Sequence, residues 1–276
     1  MKNLFIMTVP QWQGSAAGTA PYHGAKSMAK MVGSDIIDAE IAVREQSVAK
    51  RIDGVWYLHE IVKHYNDILT VLDEHRPRKL LTLGGDCSSD VITISYLNKI
   101  YDGDMVVLWL DAHANISTPE SSKTGKCNGM PLRILLGEGS SKILELLPTV
   151  LNTDQVVYTG LRSVEHPERQ FIVNHAIPNA PVSSSCFNML ESILQRTNKK
   201  HVYIHIGLDV IDPLEFDAVG YPFPGGILYE DLLVTLEQIG KEFSVVGSSV
   251  TEYHPTGDDS KAKLERLLNV VKGMFD

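Results

Sequence analysis

Asp111 and His113 stand two residues apart just after an apolar run, Val106 to Leu110, in the segment Leu108-Trp109-Leu110-Asp111-Ala112-His113-Ala114-Asn115. In an extended chain, side chains two apart point to the same side. One metal ion can therefore be gripped by both groups. The plain alternative is a carboxylate and an imidazole that hydrogen-bond to each other in an inert cleft. Two other apolar runs end in a similar way. Leu81-Thr82-Leu83-Gly84-Gly85-Asp86-Cys87-Ser88 ends in a glycine pair, an acid and a thiol. Tyr203-Ile204-His205-Ile206-Gly207-Leu208-Asp209-Val210-Ile211-Asp212-Pro213 ends in acids. Further on come Gly220-Tyr221-Pro222-Phe223-Pro224-Gly225-Gly226 and Thr251-Glu252-Tyr253-His254-Pro255.

These segments need strands to deliver them. Strands are expected over 4–9, 79–83, 105–110, 155–159, 202–208 and 244–250. Residues 55–74 carry Leu58, Ile61, Val62, Tyr65, Ile68, Leu69 and Leu72, a 3.6-residue rhythm that predicts a helix. Similar helices are expected over 88–99, 143–147, 189–195, 228–240 (stopped by Gly240) and 258–275. Strand–helix alternation implies a parallel sheet with helices on both faces. In such α/β sheets the site lies at the C-terminal ends of the strands. No linker interrupts the pattern, so residues 1–276 are expected to form one domain.

The bulk properties exclude several classes. The net charge of −9 argues against nucleic acid and anionic membrane as partners. No apolar run approaches the ~18 residues of a membrane span. The opening Met1-Lys2-Asn3-Leu4-Phe5-Ile6-Met7-Thr8-Val9-Pro10 imitates a short signal peptide, but no small-residue cleavage site follows, and it reads as the first strand. Three cysteines, Cys87, Cys127 and Cys186, argue against a disulfide framework and for a reducing cytoplasm.

In their order, the motifs from about Leu81 to Pro255 resemble the arginase/agmatinase (ureohydrolase) family. That family's pattern runs Gly-Gly-Asp-His, Asp-Ala-His-x-Asp, Ser-x-Asp-x-Asp-x-x-Asp-Pro, a Gly-x-Pro-x-x-Gly-Gly loop and a Glu near the last strand. The resemblance implies a three-layer α/β/α sandwich around a mostly parallel sheet. In the family, two manganese ions share a hydroxide that attacks a guanidinium carbon. Carried over by position, Asp111 would bridge, His113 would be a ligand, and Asn115 stands where the family has Asp. Cys87 stands where it has His. Aligning on Asp212-Pro213 puts the second bridging position at Gly207 and one further ligand at Asp209. Two close divalent ions need several carboxylates to offset their repulsion. The resemblance therefore implies one divalent metal here, Mn or Zn, on Asp111, His113 and Asp209, an Asp/His/Asp set similar to that of the histone deacetylases. Were the register wrong, Asp209 and Asp212 would restore two acids, but the Asp-x-x-Asp-Pro run argues against it.

Cys87 reads three ways: a zinc ligand, a redox-sensitive group, or a small buried hydrophobe. Cys127 lies in a loop near enough to approach the cleft. On the substrate side, Asn128 replaces the family's proton-shuttling His and cannot titrate. The resemblance implies that Glu252 pairs with a substrate guanidinium or moves protons, together with His254. It also implies that Glu165 meets a substrate ammonium, that Thr124 receives a carboxylate, and that Tyr221 narrows the pocket. Ordinary loop chemistry is the plain alternative for these. His23, His64, His75, His175 and His201 show no ligand spacing and read as surface or core fillers. Gly84-Gly85 and Gly225-Gly226 match no phosphate loop and read as tight backbone passages.

Two classes of function follow. One is a divergent metallohydrolase that uses one metal-bound hydroxide to cleave a C–N bond of a small guanidino, amidino or amide compound. The other is a non-catalytic descendant, a small-molecule sensor or a partner of an active relative. Either way the expected partner is a small molecule, and the resemblance allows a homo-oligomer.

Overall fold

Buried side chains alternate along the central strands, and this sorts them into two cores. Val106, Leu108 and Leu110 join one hydrophobic cluster, whereas Met105, Val107 and Trp109 join the other. The period of two fits a strand covered on both faces. The computed structural model describes residues 4–180, 187–255 and 257–275; Cys186 lies outside them.

The strands are β1 (Phe5–Val9), β2 (Ala39–Glu40), β3 (Arg51–Ile52), β4 (Val55–Trp56), β5 (Leu80–Gly84), β6 (Met105–Leu110), β7 (Val156–Thr159), β8 (Asn179–Ala180), β9 (His201–Gly207) and β10 (Ser244–Thr251). Eight of them form one sheet in the order β2-β1-β5-β10-β9-β6-β7-β8. All of its pairings are parallel, while β3 and β4 form a separate antiparallel pair. Helices α1 (Ala20–Val32), α7 (Phe187–Arg196), α8 (Tyr229–Glu242) and α9 (Asp258–Gly273) pack into the first core. Helices α2 (Leu58–His75), α3 (Val91–Ile100) and α4 (Pro131–Leu135) pack into the second. Short helices α5 (Ser141–Leu144) and α6 (His166–Asn174) lie in the β6–β8 connections. The expected α/β sandwich is thus observed. No helix among the described residues is long and apolar enough to cross a membrane.

Several boundaries differ from expectation. Val55 does not begin a helix; it pairs in the β3–β4 hairpin, and Tyr57 turns the chain in a left-handed conformation before α2. Gly240 does not stop α8, which runs on to Glu242. A Cβ at Gly240 would come within 3.0 Å of the Met274 backbone, so this glycine serves close packing against the end of α9. Helix α1 was not anticipated. Its buried face is Pro21, Gly24, Ala25, Met28, Ala29 and Val32, a helical spacing built mostly from small residues that carry little hydrophobic signal.

The chain leaves β5 for β6, and β9 and β10 later fill the gap between them. Four adjacent strands, β5, β10, β9 and β6, therefore aim their C-terminal ends at one crevice, where open α/β sheets hold ligands.

Candidate metal and substrate site

Pairing register builds the site. Trp109 lies opposite His205, and His205 lies opposite Ser249. Two residues on, by the same side-chain period, come Asp111, Gly207 and Thr251. Gly207 leaves room there: a Cβ on it would sit 2.5 Å from Asp111 Oδ2 and 3.2 Å from Asp209 Oδ1. Position 207 thus faces both acids but adds no side chain between them.

Asp111, His113 and Asp209 converge. His113 Nδ1 lies 2.8 Å from Asp209 Oδ2 and 3.4 Å from Asp111 Oδ1. The His113 amide donates to Asp111 Oδ1 at 2.6 Å, and the Ala112 amide to Asp209 Oδ1 at 3.4 Å. On the other side of Asp111, Oδ2 accepts from Asn115 Nδ2 at 2.9 Å and from Cys87 Sγ at 3.3 Å. His205 Nε2 stands 3.6 Å from the same oxygen. Three donors thus group twice: Asp111, His113 and Asp209, and again Cys87, Asp111 and His205.

The electrostatics are those of a cluster rich in buried acid. Burial opposes charge on Asp111, but the close imidazoles of His113 and His205 hold it well below the usual carboxylate range. Burial and the charge of Asp111 push Asp209 up to about 6. Burial also opposes the charge on His113, yet Asp111 and Asp209 outweigh it and raise the imidazole to about 11. Across the crevice, Glu252 Oε1 accepts from the Cys87 amide at 3.1 Å and from Asn128 Nδ2 at 3.4 Å. Burial, with the nearby charges of Asp86 and Asp209, raises Glu252 to about 8. Its Oε2 is buried without a hydrogen-bond partner among the described residues. Carboxylates crowded in this way suit a bound cation.

Of these groups Cys87, His113, Asn115, Asn128, Asp209 and Glu252 line a cavity of about 220 Å³, together with Thr124, Glu165 and Tyr221. Glu165 caps the start of α6 and pairs with Lys123 Nζ at 3.2 Å. Tyr221 accepts from Lys126 Nζ at 2.8 Å and stands edge-on to His113. Lys123 and Lys126 line the cavity as well, and sequence reasoning missed both.

Some anticipated residues stand apart. His254 does not line the cavity. Its ring packs against Gly220, where a Cβ would lie 2.6 Å from it. Cys127 is fully buried, and burial lifts its thiol to about 12. Asp212 accepts from the Leu214, Gly225 and Gly226 amides at 3.0, 2.8 and 3.0 Å, so it anchors the glycine loop rather than adding an acid to the cluster. Arg162 ties the same region together, donating to the Asp209 carbonyl at 2.7 Å, Gly160 at 2.9 Å and Phe223 at 2.7 Å.

His205 is the donor that sequence reasoning passed over. Inside an apolar strand it reads as a core residue. The available signal was its spacing, two before Gly207 and therefore on the same face.

A sequence model of the arginase family matches residues 11–271. This chain belongs to the arginase family. An arginase of Staphylococcus aureus is 32% identical over 202 residues, covering 71% of this chain and 67% of that protein. An arginase of Entamoeba histolytica is 30% identical over 203 residues, covering 71% and 68%. Among solved structures, Bacillus caldovelox arginase superposes with a TM-score of 0.85 at 22% identity, covering 100% of this chain and 98% of that one. Formimidoylglutamase of Bacillus subtilis superposes with a TM-score of 0.75 at 19% identity, covering 100% and 88%. At these identities, the superpositions establish a shared arginase-family fold.

Proposed function

We propose that this arginase-family chain is a metallohydrolase that cleaves a C–N bond of a small guanidino, amidino or amide compound. The observation that carries this reading is the convergence of Asp111, His113 and Asp209, the last two lining a cavity that buried Glu252 also lines. In the proposed arrangement these three residues hold one divalent ion, Mn or Zn. When bound, such an ion supplies a Lewis acid and lowers the pKa of a water.

The remaining roles belong to the chain's own groups. Glu252, raised to about 8, holds a proton on its unpartnered Oε2 and hands it to the leaving nitrogen. Asn128 fixes the Glu252 carboxyl through Oε1. His254 takes no part, because its ring faces Gly220. Tyr221 narrows the entrance, and Thr124, Lys123 and Lys126 receive a carboxylate on the substrate's far end. Glu165, paired with Lys123, takes a substrate ammonium. The free thiols of Cys87 and Cys127 suit a reducing cytoplasm.

The test is reconstitution with Mn or Zn, followed by assay for urea or ammonia from guanidino, amidino and amide compounds. Turnover is expected, with product release abolished and manganese no longer retained in Asp209→Ala. Failure to take up any divalent ion would end this reading. The joint departures from the family pattern at Cys87, Asn115, Asn128 and Gly207 favour a second reading, a sensor. Ligand binding by calorimetry without turnover would select it.

A further inference from the structure

We infer that Cys87, Asp111 and His205 form a second cation position, one built for a thiophilic ion such as zinc rather than for manganese. The inference goes beyond the single ion proposed above and rests on that reading only for the cleft's capacity to take a cation.

The orphaned nitrogen of His205 is the starting observation. The side chain is 0% exposed, and Nε2 has no hydrogen-bond partner among the described residues. Leaving such an atom unsatisfied is costly, so its retention calls for an occupant. Its other nitrogen is fully committed. Nδ1 donates to Asp90 Oδ2 at 2.9 Å. That oxygen is itself held by Ser249 Oγ at 2.5 Å and Tyr203 OH at 3.3 Å. Trp109 stacks on the ring with centroids 3.6 Å apart and planes 10° from parallel. A carboxylate on the far nitrogen and a ring fixed by packing are the usual support of a metal-binding histidine. They fix Nε2 3.6 Å from Asp111 Oδ2 and within 4.8 Å of Cys87 Sγ.

Both spacings to Asp111 fit. Zinc–ligand lengths of about 2.0–2.3 Å at tetrahedral angles put neighbouring donor atoms roughly 3.4–3.6 Å apart. Cys87 Sγ and His205 Nε2 lie 3.3 and 3.6 Å from Asp111 Oδ2. The two oxygens of Asp111 divide their work, Oδ1 facing His113 and Oδ2 facing Cys87 and His205. Asn115, also on Oδ2, would offer its amide oxygen after a half-turn. A Cβ at Gly207 would sit 2.5 Å from Oδ2, so a larger residue there would crowd this cluster. The loss of a carboxylate at 207 and the presence of His205 and Cys87 thus belong together. Thiolate and imidazole replace oxygen donors, and such a set selects zinc, cobalt or copper over manganese. On binding, Cys87 gives up its thiol proton to solvent, and any proton on His205 Nε2 leaves with it.

The test is titration of chelator-treated protein with Co2+, Zn2+ and Mn2+ separately, with bound metal measured by elemental analysis. Two equivalents of cobalt or zinc are expected, but only one of manganese. One of the cobalt equivalents should bring a near-ultraviolet thiolate-to-cobalt charge-transfer band. Cys87→Ser should abolish that band and bind one equivalent, and Asp90→Asn should weaken that equivalent about 10- to 100-fold. Asp209→Ala should lose the other equivalent and keep the band. One equivalent of cobalt without the band in the unaltered protein would overturn this inference and leave the proposed function standing. No uptake of any ion would overturn both.

Discussion

Glu252 holds a conformation that glutamate rarely adopts, with a left-handed φ of 65°. Such a backbone costs about 1–3 kcal/mol and persists where the surroundings enforce it, often at functional sites. Here the enforcement is visible: the Glu252 amide donates to the Gly85 carbonyl at 2.7 Å, and Oε1 is held by Cys87 and Asn128. Asn115, φ 50°, also has a positive φ in the segment after β6, where asparagine tolerates it better. Glu252→Gln keeps the shape and the hydrogen bonds but cannot carry the proton. Activity should fall about 10²-fold or more, with an unchanged melting temperature and metal content. Activity within a few-fold of the unaltered protein would remove Glu252 from proton transfer. Asp111, His113, Asp209 and Glu252 could be named from the sequence because each follows a strand within a short motif. His205 could not, since nothing in its neighbourhood along the chain says that Asp111 and Cys87 lie beside it.

Helix α1 sets the position of Glu252 from behind. Gly24 lies on its buried face, and a Cβ there would overlap the Tyr253 carbonyl. The helix can lie this close to the backbone beside Glu252 only because Gly24 has no side chain. Gly24→Ala should gain in helix propensity, by about 1 kcal/mol, yet lose more through overpacking, which costs about 1–3 kcal/mol. A lower melting temperature is expected together with reduced activity, since the displaced segment carries Glu252. An alanine variant as stable and active as the parent would show that the contact is slack. Long periodic elements such as α2 and strong apolar strands such as β6 were legible without the fold. Helix α1 and the two-residue strands β2 and β8 were not, because small residues and short pairs carry little pattern and are formed by tertiary contact.

Over the whole molecule, stability should depend on acid through His64. This residue is buried in the α2 core beside Gln11, with Nδ1 3.2 Å from Gln11 Oε1. Burial, helped by the charge of Lys63, lowers His64 from 6.5 to about 4. The unfolded chain therefore binds a proton between these values that the native state does not. The stabilisation, about 3 kcal/mol, is complete above pH 6.5 and lost as the pH falls towards 4. Across that window acidification should cost the unaltered protein more melting temperature than it costs His64→Leu; equal slopes would refute the assignment. The sequence alone determined the layered α/β class and the pairing of Asp111 with His113, because both depend on spacing along one chain, which covalent geometry and the two-residue strand period dictate. Asp209 was named through the resemblance of the ordered motifs to the arginase family. The second grouping of Cys87, Asp111 and His205, and the setting aside of His254 and Cys127, were decided only by tertiary structure. Each depends on which strands become neighbours and in what register, and the insertion of β9 and β10 between β5 and β6 brings those side chains within reach of one another.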